Sequence, residues 1–165
     1  MRYIMKQKVF SLRDNFTIMS EDERDIYKVI EKGSFFGKKL SLTDMNGNEL
    51  LFISQRTFFW NPTFEISRDG QVTAEVSKEF SWFKNKLVLS MVGPKEYNVT
   101  GTYWAGTYTF QNNGHVVAQV SKNKWSLSDT YGIDIEGGES DEIILATCIV
   151  IDLLFHNTSS TGVGE

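Results

Sequence analysis

The chain has 165 residues, 41% of them hydrophobic and 13% aromatic, which suits one domain built on a single core. Its net charge of −4 lacks the surplus of lysine and arginine that a nucleic-acid-binding face needs. A lone cysteine, Cys148, excludes an internal disulfide and reads as a small buried hydrophobe in a reducing, cytoplasmic setting.

The N-terminal MRYIMKQKVF has no continuous apolar run and no small-residue cleavage site, so no secretory signal is expected. From there the chain reads as short β-strands near 5–12, 15–19, 25–31, 40–44, 48–57, 63–68, 71–79, 85–91, 97–102, 106–111, 114–122 and 130–136. Turn signals separate them at Ser20–Arg24, Gly33–Gly37, Asn61-Pro62 and Gly93-Pro94. Strands at this spacing suggest a sandwich or a closed barrel. Eight strands make a barrel filled by its own side chains, whereas twelve enclose a wider lumen that a helix ~10 Å across could occupy.

An internal repeat runs through the middle of the chain. Asn46-Gly47, Asp69-Gly70 and Asn113-Gly114 are followed in fixed register by Ser54, Ser77 and Ser121, and then by Gln55, Lys78 and Lys122. A tryptophan comes a few residues later, at Trp60, Trp82 and Trp125. Asn-Gly and Asp-Gly predict type I′ hairpin turns, since both central residues tolerate positive φ. Leu51, Ala74 and Ala118 share a strand face with Ile53, Val76 and Val120, while the three serines take the other. A buried face with alanine at mid-strand leaves room for something bulky inside.

The apolar segment Ile143–Phe155, IILATCIVIDLLF, supplies it. Its β-branched residues would also suit a buried strand. The Ser140 cap, the first-turn acids Asp141 and Glu142 and its length favour a helix. Such a helix spans ~20 Å, short of a bilayer core of ~30 Å, and Asp152 would be costly in lipid. His156 stands four residues on as a candidate partner for Asp152. A helix apolar all round requires protein on every side.

Several stretches resemble the LURP-one-related family, in particular its bacterial YxjI-like branch. They are MKQKVFSL (5–12), KLSLTDMNGNELLFISQ (39–55), DGQVTAEVSKEFSWF (69–83) and DTYGIDI (129–135) before the terminal helix. The family belongs with tubby C-terminal domains and phospholipid scramblases. The resemblance covers nearly the whole chain. It implies a mainly β fold, a twelve-stranded antiparallel closed barrel around a central hydrophobic C-terminal helix. One such domain is expected over residues 1–157, and the polar, glycine-containing end at 158–165 reads as a disordered tail. Tubby domains bind phosphoinositides, but no matching motif occurs here, so no lipid-binding residue is carried over.

Enzymatic constellations are nearly absent. His115 and His156 are not spaced as metal ligands or as a catalytic pair, and no phosphate-cradling glycine loop or nucleophile elbow occurs. The reading is therefore a protein without catalytic residues, cofactor or bound metal. The acids from Asp129 through Asp134, Glu136 and Glu139 to Asp141 and Glu142 invite a calcium reading, but their spacing is not that of an EF-hand loop. The candidate ligand-binding residues are Lys78, Lys84, Lys86, Lys122 and Lys124 with Trp82 and Trp125. Basic and aromatic side chains together suit a lipid phosphate or an anionic membrane surface. Lysines at strand ends also serve as solvated gatekeepers against edge pairing. Arg56 with Trp60 repeats the pattern. The expectation is a non-enzymatic binding module, cytoplasmic and peripheral at a membrane, that docks an anionic phospholipid, a membrane surface or a protein partner. The alternative is a small-molecule carrier with its ligand beside the helix.

Overall fold

A computed structural model describes residues 1–6, 15–33, 37–56, 62–80, 85–91, 96–122 and 130–156, with backbone alone at 6, 79, 80, 85–91, 104 and 156. The fold is mainly β, one antiparallel sheet followed by a C-terminal helix. The strands are β1 (Arg2–Lys6), β2 (Phe16–Ser20), β3 (Asp25–Glu31), β4 (Lys39–Asp44), β5 (Glu49–Arg56) and β6 (Thr63–Arg68). They continue with β7 (Gln71–Phe80), β8 (Asn85–Met91), β9 (Glu96–Thr102), β10 (Thr107–Asn112), β11 (His115–Lys122) and β12 (Thr130–Ile135). A short 3₁₀ turn, η1 (Tyr103–Ala105), joins β9 to β10, and helix α1 covers Asp141–His156. Neighbours in sequence pair antiparallel, and β1 pairs with β12 as well as with β2.

Two sequence expectations are corrected. The first strand is Arg2–Lys6, not 5–12, because Tyr3 and Met5 are the residues that alternate into the core. Residues 7–12 lie outside the described part. The Asn46-Gly47 hairpin is not a two-residue type I′ turn, since Gly47 (φ 89°) has positive φ and Asn46 does not. The Asp44 carboxylate instead accepts hydrogen bonds from the Asn46 and Asn48 amides, both at 2.9 Å, and organises a longer loop. Asp69-Gly70 and Asn113-Gly114 do place both residues at positive φ, as type I′ turns require.

The repeat has a structural counterpart in its bulges. The register slips between Leu42 and Thr43, Ile66 and Ser67, and Phe110 and Gln111, leaving Leu50, Thr73 and Val117 as the extra residues. Each stands three residues after the glycine of its turn. A fourth copy at β2–β3 leaves Ile26 extra, three residues after Glu23, whose φ is 59°. The turn at Ser20–Arg24 is expected from the sequence, but without an Asn-Gly or Asp-Gly it stands outside the repeat pattern.

Helix α1 begins where expected. The Ser140 carbonyl accepts the Ile144 amide at 3.1 Å, which puts Ser140 at the cap, and Asp141 and Glu142 fill the first turn. Residues Ile143 to Leu153 are each at most 5% exposed, so every face is covered. Contacts come from β5, β6, β7, β12 and η1. Leu51, Ala74 and Ala118, the equivalent repeat positions, are all buried.

Candidate functional site

Antiparallel pairing fixes which residues share an end of the sheet. β5, β7, β9 and β11 run one way, so they finish at one rim, where η1 also lies. The same rim holds the C-terminal end of α1. Phe155 stacks on Tyr103 at 4.7 Å between centroids, and the Lys78 Nζ lies 5.6 Å from the Phe155 ring. A lysine there also complements the negative end of the helix.

Strand parity sets the direction of these side chains. Gln55, Lys78 and Lys122 have the parity of the inward residues Ile53, Val76 and Val120, so they stand on the inner side of the rim. Lys78 is accordingly half-buried, and Gln55 accepts the Lys38 amide at 3.1 Å. Lys122 is exposed at the end of β11, opposite Tyr131. Of the other sequence candidates, Lys86 stands in β8 opposite Glu79, its side chain outside the described part. Lys84, Lys124, Trp82 and Trp125 lie outside the described residues, as does Trp60.

Topology adds cations that the repeat pattern had not grouped. Lys32, Lys38 and Lys39, at the β3–β4 connection, share the rim with Arg56, Lys78 and Lys122. The acids at the described ends of these strands are Glu31 and Glu79. Lys38 pairs with Glu31 at 3.0 Å, and Arg56 pairs with Glu65. The signal that would have joined these residues was strand direction, legible only once every hairpin is placed.

The opposite rim is acidic. It carries the turns at Glu21–Arg24, Met45–Asn48, Asp69–Gly70 and Asn113–Gly114, and the approach to α1. The acids from Asp134 to Glu142 are dispersed there, each on a different partner, while Asp129 lies outside the described residues. Asp134 accepts from Arg2 at 2.6 Å, Glu136 meets His115 at 2.7 Å, and Asp141 accepts the Tyr3 hydroxyl at 2.7 Å. Glu139 accepts the Tyr97 hydroxyl, and Glu142 meets Arg68 at 2.5 Å. Among the described residues no three potential ligands converge on a metal position. Burial and the carboxylate neighbour hold the Tyr3 and Tyr97 hydroxyls well above the usual tyrosine range, so they stay protonated donors.

Inside the sheet, Cys148 faces Tyr108, and burial pushes its thiol up to about 12, which leaves it a poor nucleophile. Burial also pushes the Asp152 carboxyl up to about 7, opposed by a hydrogen bond from Tyr131. The expected partner His156 has its side chain outside the described part. An open groove of about 560 Å³ runs along β1, β11 and β12 at the acidic rim, with no α1 residue in its lining. No helix among the described residues is long and apolar enough to cross a membrane.

The family model described as LURP-one-related matches residues 1–152. The chain belongs to the LURP-one-related family. It is 33% identical over 161 residues to the uncharacterized protein YxjI of Bacillus subtilis (strain 168), covering 96% of each chain. No solved structure matches. For this LURP-one-related chain, the sites that merit a functional reading are thus the basic rim and the groove at the acidic one.

Proposed function

We propose that the chain is a non-enzymatic binding module that docks through its basic rim onto an anionic phospholipid surface. The observation that carries this reading is the segregation of charge along the molecule. Lys32, Lys38, Lys39, Arg56, Lys78 and Lys122 gather at one end, while the turns and the start of α1 collect acids at the other. A net-negative protein with such a dipole approaches an anionic surface basic end first. In sequence each repeat is followed by a tryptophan, Trp60, Trp82 or Trp125, a residue type suited to a lipid interface, though all three lie outside the described residues. With this reading goes the proposal that the sheet forms a tubby-like closed barrel on a central helix. Its basis is the pairing of β1 with both β2 and β12 and the burial of α1 on every face.

Flotation with vesicles tests it. The protein should float with vesicles rich in anionic phospholipid and remain at the bottom with neutral ones. Each rim cation near such a surface contributes ~1 kcal/mol, roughly fivefold in affinity. The pair Lys78→Glu and Lys122→Glu should therefore abolish flotation, and Lys32→Glu with Lys39→Glu should do the same. Unchanged flotation in both pairs would remove the rim assignment. Failure of the wild type on anionic vesicles would leave a protein partner as the occupant.

A further inference from the structure

The acidic rim combines surplus charge with exposed apolar side chains. Its described cationic side chains are Arg2, Arg24 and Arg68, and no described lysine lies in its turns. Each arginine is already taken, Arg2 by Asp134, Arg24 by Asp22 at 2.6 Å and Arg68 by Glu142. Glu23, Asp25, Asp69 and Glu96 are exposed there and have no ion pair with another described residue. The basic rim shows the opposite balance. Lys38 and Arg56 hold Glu31 and Glu65, while Lys32, Lys39 and Lys122 have no ion pair with another described residue. Each end thus carries spare charge, and the two are of opposite sign.

Apolar exposure is placed just as unevenly. The exposed large hydrophobics among the described residues are Met1, Met45, Val72 and Val116, between 41% and 73% exposed, and all four stand at the acidic rim. Val72 and Val116 occupy one repeat position, two residues after the glycine of their turns. The bulges beside them, at Thr73 and Val117, set them opposite Ser67 and Gln111 on the outer side of the sheet. Val116 lines the open groove of about 560 Å³ with Val117, and the same lining holds Glu21, Asp134 and Glu136. Arg2 is the one cationic side chain in that lining, and Glu21 and Asp134 share it.

Such a groove suits a surface that brings ammonium groups on long aliphatic stems. A lysine stem covers an apolar tip while its head meets a carboxylate. The chain carries that surface itself, at its other end. We infer that the acidic rim docks the basic rim of a second copy, with the groove along β1, β11 and β12 as its seat. The two surfaces lie at opposite ends of the sheet, so the contact is head-to-tail and leaves one free end of each kind on every pair. Copies then add end to end. Charge supplies most of the attraction, so the association is weak, fast and sensitive to salt. The basic rim serves this contact as it serves the membrane reading, but the contact needs no lipid.

Sedimentation velocity over a range of protein concentrations, with no lipid present, tests it. In about 0.1 M salt, where charge reaches ~10 Å, the mean sedimentation coefficient should rise with concentration, and about 1 M salt should abolish the rise. Glu21→Lys with Glu136→Lys reverses the groove, and Lys39→Glu with Lys122→Glu reverses the other end. All four side chains are exposed, so circular dichroism should show both variants folded. Each variant alone should associate about a hundredfold more weakly, because like charges then face each other. An equimolar mixture should associate again, since one variant keeps its basic rim and the other its acidic one. A wild type that stays monomeric in low salt at every concentration overturns the inference. Association that survives in either variant overturns it as well, and so does a mixture that stays monomeric. The groove variant keeps its basic rim and should still float with anionic vesicles, so failure of this contact and failure of the membrane reading are seen apart.

Discussion

At single positions the fold depends on glycines of two kinds. Gly114 adopts φ 81° with open space around its missing Cβ, so alanine there meets only the left-handed backbone penalty, about 1–2 kcal/mol. Gly106 and Gly101 differ. A Cβ on Gly106 would meet the Tyr131 ring at 2.0 Å, and on Gly101 the Thr107 carbonyl oxygen at 2.4 Å. Both also have positive φ, so alanine should cost about 3 kcal/mol or more at either site. Urea denaturation of the three variants checks the order, and a Gly106→Ala as mild as Gly114→Ala would deny the close packing of Gly106 on Tyr131. The sequence marks Gly114 through its Asn-Gly turn, but it does not mark Gly106. That glycine's role comes from a tyrosine 25 positions away, a contact with no local signature. Glu23 illustrates the converse, because a left-handed residue with an ordinary side chain is invisible to a search for glycine turns.

At the scale of elements, α1 was the most legible part of the chain. Its apolar run is too short for a bilayer and too hydrophobic for a surface, so only a protein interior remains. Burial of Ile143 to Leu153 agrees. Replacing Ile149 by lysine would put a charge at a fully covered position of the interior, at a cost of about 3–5 kcal/mol or more out of a total stability of ~5–15. Ile149→Leu, which keeps the volume, should cost less than about 1.5. Circular dichroism melts should therefore show an unfolded or barely folded Ile149→Lys and a near-normal Ile149→Leu. A well-folded Ile149→Lys would mean that α1 leaves the interior easily. The start of the helix is tied to the wall by Tyr3–Asp141, Tyr97–Glu139 and Arg68–Glu142. These ties join strands far apart in sequence, so the partners of the acidic run before α1 have no local signature. Tyr97→Phe leaves the ring and removes one charged-acceptor hydrogen bond, so a loss of about 1.5–3 kcal/mol is expected. The same denaturation experiment measures it.

Over the whole molecule, the repeat gave Lys78 and Lys122 one position each, but their common rim follows from strand direction, which also brings in Lys32, Lys38 and Lys39. That arrangement makes an orientation testable. Gly33 follows the end of β3 at the basic rim and Gly137 precedes α1 at the acidic one. Each has open space for a side chain and ordinary backbone geometry. Cys148 is buried with its thiol pushed up to about 12, so a fluorophore added at neutral pH should react with a new surface thiol and spare it. On anionic vesicles carrying a lipid-borne quencher, the label at Gly33→Cys should be quenched and the one at Gly137→Cys should not. Raising salt from 0.05 to 0.5 M should reverse the quenching, because the Debye length shrinks from roughly 14 Å to about 4 Å, shorter than the reach of a lysine-to-headgroup contact through water. Equal quenching at both sites would mean that the charge dipole does not orient the molecule. Quenching at Gly137 alone would place the acidic rim, with its ties to α1, against the membrane.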